Sequence, residues 1–122
     1  MEARDSRSAL GREGEAITGT ILEREGWTIV ACNFRAGHGE IDIVATKDDI
    51  LAFVEVKRWK RNGPMDLRNS IDRGKITRII ETSKIFLAKY RQYSGKQIRY
   101  DVFLLSPDRQ PTRYEGAFDE TV

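Results

Sequence analysis

The chain has 122 residues and a mass of 14.0 kDa, the size of one domain, read here as residues 1–122. Hydrophobic residues make up 39%, or about 47% once Gly is counted, so a small core is expected and a disordered or collagen-like chain is excluded. The net charge of +2 is small but segregated: −5 over residues 1–56, +10 over 57–99 and −3 over 100–122.

In chain order, residues ~8–25 are predicted as a helix, with Leu10, Gly14, Ile17 and Ile21 at helical spacing and Gly26 after its end. Glu15 lies at the edge of that stripe, on the side of Thr18 and Leu22. Trp27 to Phe34 is rich in β-formers and predicts a strand with Cys32 as a small core residue. Arg35 to Gly39 predicts a turn. Glu40 to Thr46 and Ile50 to Trp59 predict two strands of a hairpin. Arg61-Asn62-Gly63-Pro64 breaks the pattern, and a short helical turn is expected near Met65 to Ser70. A second helix is predicted from about Asp72 to Tyr90, burying Ile76, Ile79, Ile80, Ser83, Phe86, Leu87 and Tyr90. Ile98 to Leu105 predicts a strand, and Thr112 to Phe118 a last short one. The order αβββαββ implies an α/β fold with a mixed β-sheet flanked by helices.

The segment from Gly39 to Lys57 carries the chemistry. Side chains alternate along a strand, so Glu40, Asp42 and Val44 share one face and Leu51, Phe53, Glu55 and Lys57 share another. A two-residue turn at Asp48-Asp49 makes paired residue numbers sum to 97, which sets Asp42 opposite Glu55 and Glu40 opposite Lys57. Opposed like charges are destabilising. A divalent cation removes the repulsion, and oxygen-only donors suit Mg²⁺ or Mn²⁺. The plainer reading is a surface charge network, with Glu40 paired to Lys57. In the metal reading Lys57 holds the attacking water or stabilises charge on a phosphate, and Glu15 supplies a further ligand or a contact that supports the ligands.

Asp…Glu-x-Lys on adjacent strands, after a helical Glu, resembles the PD-(D/E)xK nuclease superfamily. Gly14-Glu15-Ala16, Gly39-Glu40-Ile41-Asp42-Ile43-Val44 and Phe53-Val54-Glu55-Val56-Lys57 resemble three blocks of the bacterial YraN-like family of predicted endonucleases. Asn33-Phe34-Arg35, the basic pair Lys75 and Arg78, Tyr100-Asp101-Val102 and Ala117-Phe118 resemble further blocks in the same order. Trp59 after Lys57-Arg58 and Tyr100 before Asp101 depart from the family's usual residues. The resemblance implies a restriction-endonuclease-like core and Mg²⁺-dependent hydrolysis of phosphodiester bonds. It matches Asp42 and Glu55 to the metal carboxylates and Lys57 to the catalytic Lys. Glu15 matches the helical acid of Holliday-junction resolvases.

The basic block suits a nucleic-acid backbone, DNA being the expected partner, because each Lys or Arg contact releases a counterion. Arg35, Arg58, Trp59, Lys60, Arg61, Lys75 and Arg78 are the candidate contacts. Trp59 stacks on a base or packs at a sheet edge; both readings stand. His38 contacts phosphate or is simply an exposed turn residue. Two other classes compete with the enzyme: a non-catalytic nucleic-acid-binding module of the same fold, and a structural protein whose basic face docks an acidic partner. Symmetric cutting of a duplex or junction would call for a two-fold homodimer. No membrane association is expected, since no apolar run approaches the ~18 residues of a membrane helix. Met1 to Leu10 has no apolar stretch and so does not read as a secretory leader. The single cysteine excludes an intrachain disulfide, and a cytoplasmic location is expected.

Overall fold

Among the described residues, two tight turns and one helical crossover organise the chain. In the computed structural model, described here for residues 6–58, 71–106 and 109–120, the elements are α1 (Ser6–Arg24), β1 (Thr28–Ala36), β2 (Gly39–Lys47), β3 (Ile50–Arg58), α2 (Arg73–Lys89), β4 (Gln97–Ser106) and β5 (Arg109–Phe118). A single 3-10 turn, Arg91–Tyr93, follows α2. Among the described residues the order is the expected αβββαββ. The expected chain break at residues 61–64 and the helical turn near Met65 lie outside the described residues, as do Pro107 and Asp108.

The strands form one five-stranded mixed sheet in the spatial order β1-β2-β3-β4-β5. β1–β2, β2–β3 and β4–β5 pair antiparallel, while β3 and β4 pair parallel. Parallel neighbours need a crossover, and α2 lies within it. This is a mixed α/β architecture consistent with a restriction-endonuclease-like core.

The β2–β3 register is the one that the Asp48-Asp49 turn implies: Lys47 pairs with Ile50, and the ladder runs to Ile43–Val54. Asp48 adopts φ 53° to close the turn, a conformation that Asp tolerates better than most residues. The β1–β2 turn is shorter than expected. Ala36 pairs with Gly39, so only Gly37 and His38 lie between the strands, and Gly37 supplies φ 61°.

Strand alternation divides the core between the two faces of the sheet. Ile79, Ile80 and Phe86 of α2 pack on Val44, Leu51, Phe53, Tyr100, Val102 and Leu104. Leu22 and Trp27 pack on Ile43, Ala45, Ala52, Val54 and Phe103 on the other face. Burying a side chain such as Phe86 contributes about 1.5–3 kcal/mol. The α2 stripe is as expected, with Ile76, Leu87 and Tyr90 at its margin.

Three sequence expectations are corrected. On α1 the buried positions are Gly14, Thr18 and Leu22, whereas Ile17 is exposed and Ile21 half-buried; the side chain of Leu10 lies outside the described residues. The reason is close approach at Gly14, where an added Cβ would stand 3.1 Å from Leu105 Cδ1 and 3.4 Å from Val56 Cγ1. Cys32 is exposed rather than in the core. Ile41, which strand alternation puts on the same face as Ile43, instead joins the α2-side cluster with Val44. Opposite this stretch, between the pairs Cys32–Ile43 and Phe34–Ile41, Asn33 adopts φ 54°. That left-handed residue interrupts the regular alternation of β1 where the candidate site begins.

Candidate active site

The site begins where the β2–β3 ladder stops. Beyond the Ile43–Val54 pair, the backbone N–H of Val56 donates to Asp42 Oδ2 at 2.8 Å. A carboxylate thus takes a strand N–H and is held beside Glu55. Glu55 is 5% exposed, and Lys75 Nζ from the first turn of α2 lies 2.5 Å from Glu55 Oε2. The backbone of Lys75 is itself fixed, because its N–H donates at 2.7 Å to the N-cap carboxylate of Asp72.

Burial pushes the Asp42 carboxyl up to about 8, with the Glu55 charge as the next cause. Loss of hydration and a neighbouring negative charge both disfavour the ionised form. For Lys75, burial acts to lower the pKa, but the charge and hydrogen bond of Glu55, helped by Asp42, outweigh it and the net shift is upward. Asp42 and Glu55 border a cleft of about 400 Å³ between β2, β3 and the start of α2. Arg35, His38, Lys75 and Arg78 supply cationic or polar groups to its lining, and Glu40 lines it too. Glu40 is 3.4 Å from Arg35 Nε, so its ion pair is with Arg35 and not with Lys57 as the cross-strand register had suggested.

The other nominated residues stand around this cleft. Glu15 accepts a hydrogen bond at 2.8 Å from Asn33 Nδ2, the residue with positive φ. Its pKa is raised, chiefly by burial and partly by the charges of Glu40 and Glu55, against the lowering effect of Asn33. Glu15 therefore feels the acidic cluster, although it does not line the cleft itself. Lys57 follows Glu55 by two residues, pairs in register with Leu104 and also lies outside the lining. Arg58 has the parity of Val56 and runs beside α1, with its Cγ 3.6 Å from where a Gly14 Cβ would stand. Trp59, Lys60 and Arg61 lie outside the described residues.

The donor chemistry fits a hard divalent cation. Asp42 and Glu55 offer oxygen donors only, and Mg²⁺ commonly binds one or two carboxylates while keeping several waters. Among the described residues, no three His, Cys, Asp or Glu side chains gather at metal-holding distance, so a closed all-protein cage is not formed there. Two contacts escaped the sequence reading. The contact of Lys75 with Glu55 crosses twenty residues of chain without any periodic signal. The clasp of Glu15 by Asn33 depends on a backbone conformation that the residue type only hints at.

A five-stranded mixed sheet with an acidic pair at one ladder end, faced by basic groups from a crossover helix, defines the class of this domain. The profile of the uncharacterised protein family UPF0102 matches residues 14–105, a span that includes Glu15, Asp42, Glu55 and Lys75. A UPF0102 protein of Rhodopseudomonas palustris is 34% identical over 119 residues, covering 98% of this chain and 90% of the relative. One from Treponema pallidum is 41% identical over 99 residues, covering 81% and 79%. One from Clostridium perfringens is 36% identical over 110 residues, covering 90% and 89%. The chain belongs to the UPF0102 family, in agreement with its resemblance to the YraN-like proteins. None of the described helices is long and apolar enough to cross a membrane.

Proposed function

We propose that this protein is a metal-dependent nuclease that hydrolyses phosphodiester bonds in DNA, with branched and junction DNA as the first substrates to test. The observation that carries the reading is the pairing of Asp42 and Glu55 in a cleft that Arg35, Lys75 and Arg78 also line. Carboxylates held this close, one of them 5% exposed, are an unfavourable arrangement for a structural surface and a suitable one for a cation.

In this reading Asp42 and Glu55 hold Mg²⁺ or Mn²⁺. When bound, the ion supplies Lewis-acid polarisation of a phosphoryl oxygen and a more acidic water. The remaining work falls to the chain's own side chains. Arg35 and Arg78 bind the phosphates on either side of the scissile bond, Arg through its planar fork. Lys57 stabilises negative charge as it develops on the phosphate. Glu15, held by Asn33, adds negative charge near the cation locus and orients water there. Two copies related by a two-fold axis would present two such sites to a duplex or junction.

The experiment is cleavage of labelled plain, flap and four-way-junction DNA in Mg²⁺, Mn²⁺ or EDTA, with Asp42→Asn and Lys57→Ala beside the wild type. Metal-dependent cutting that both variants lose is the expected result. One observation favours a second reading, a non-catalytic nucleic-acid-binding module: Lys57 stands outside the cleft lining. Salt-sensitive DNA binding with no cutting on any substrate would select it.

A further inference from the structure

Lys75 is placed where its charge and a metal ion compete. Its ammonium is in contact with Glu55 Oε2, and Lys75, Glu55 and Asp42 all line the same cleft. A second cation held by the same carboxylate would lie within a few ångströms of that ammonium, at a distance where like charges repel strongly in a partly buried site. The two ends of Lys75 differ in freedom. Its backbone is pinned by the Asp72 cap, while its side chain remains 37% exposed and borders open cleft. Arg78, one helical turn on, lines the same wall. The side chain can therefore leave Glu55 without unfolding the helix.

Resting on the metal-site reading above, we propose that Lys75 is a resident counter-ion that neutralises Glu55 until a divalent cation displaces it towards the phosphate-binding wall. Lys75 then acts twice. It lowers the affinity for metal in the absence of nucleic acid, and after displacement it joins Arg78 in holding the substrate phosphate. Metal and phosphate binding are coupled as a result: a phosphate that accepts the released ammonium favours the displaced state, and by linkage it raises the affinity for metal.

The test measures Mn²⁺ binding to the full-length protein by titration calorimetry, for wild type, Lys75→Met and Glu55→Gln. Removal of the competing ammonium is expected to tighten Mn²⁺ binding by roughly tenfold in Lys75→Met, while Glu55→Gln abolishes it. A second measurement uses the wild-type fold only. Lysines are reductively methylated with ¹³C label, and the Lys75 resonance is followed during a Mg²⁺ titration. It is expected to shift with the midpoint of metal binding, while that of exposed Lys84 stays still. Unchanged or weaker Mn²⁺ binding in a folded Lys75→Met protein, or a Lys75 signal indifferent to Mg²⁺ in a protein that binds it, overturns the counter-ion role and leaves the metal site standing. Absence of Mn²⁺ binding in both wild type and Lys75→Met overturns the metal site, and the displacement with it.

Discussion

The backbone amide of Val56 donates to the Asp42 carboxylate at 2.8 Å, so the strand that bears Glu55 also fixes the acid that faces it. This bond begins where the β2–β3 ladder stops, after Ile43–Val54. One geometric event therefore ends the strand pairing and assembles the acidic pair. Asp42→Asn keeps an acceptor for the Val56 amide and removes the charge. The fold should survive in that variant, while metal-dependent cleavage falls by about 100-fold or more, the scale seen when one preorganised electrostatic group is lost. Circular dichroism alongside the cleavage assay separates the two effects. Substantial residual cutting would remove Asp42 from the proposed machinery.

Stability should depend on pH through the same residue. Asp42 is pushed up to about 8 by burial and then by Glu55, from an ordinary value of 3.8. The native state therefore retains a proton that the unfolded chain has lost. Stability is fully present below the unfolded value and declines as pH rises towards the folded one. The melting temperature of the metal-free protein should fall between about pH 4 and pH 8, and Asp42→Asn should flatten that fall. Lys75, raised from an ordinary 10.5, loses its contribution only in the alkaline range above that window. An equally steep decline in Asp42→Asn would assign the slope to another group.

Arg35 and Arg78 line the cleft from two different elements. If each meets a phosphate, Arg35→Ala and Arg78→Ala should each weaken DNA binding about equally on all sequences. Each should also reduce the slope of log affinity against log salt by about 1. Fluorescence anisotropy over a range of salt concentrations reads this directly. A slope identical to wild type would take that arginine out of the interface.

Gly39 opens β2 against α2. A Cβ there would meet the Thr82 hydroxyl and stand 2.9 Å from the Arg78 carbonyl oxygen, a backbone atom that cannot swing aside. Gly39→Ala should destabilise the protein by about 1–3 kcal/mol, the range for overpacking. It should also disturb the cleft, because Glu40 and Asp42 follow on the same strand. Chemical denaturation measures the first effect. Wild-type stability in the variant would mean that α2 can move away from β2.

The hairpin register was legible because a two-residue turn leaves no freedom once its ends are fixed, and Asp48-Asp49 between two apolar runs marked those ends. The inward face of α2 was legible because Ile79, Ile80, Ser83 and Phe86 repeat with the helical period. The inward face of α1 was misread. Ile17 and Ile21 are the more apolar residues, but the helix packs through Gly14, Thr18 and Leu22, since Gly14 lets the helix approach Val56 and Leu105 closely. Cys32 was misread because strand composition does not say which positions the opposite helix covers.

By itself the sequence determined the order of elements, the β2–β3 pairing and the closeness of Asp42 to Glu55, since each follows from spacing within a short stretch of chain. Only the tertiary structure decided what meets that acidic pair. The crossover helix brings Lys75 onto Glu55, and the φ 54° kink at Asn33 draws in Glu15 from α1. Contacts between residues far apart in sequence depend on how helices dock on the sheet, and docking is set by the summed packing of both faces rather than by any local period.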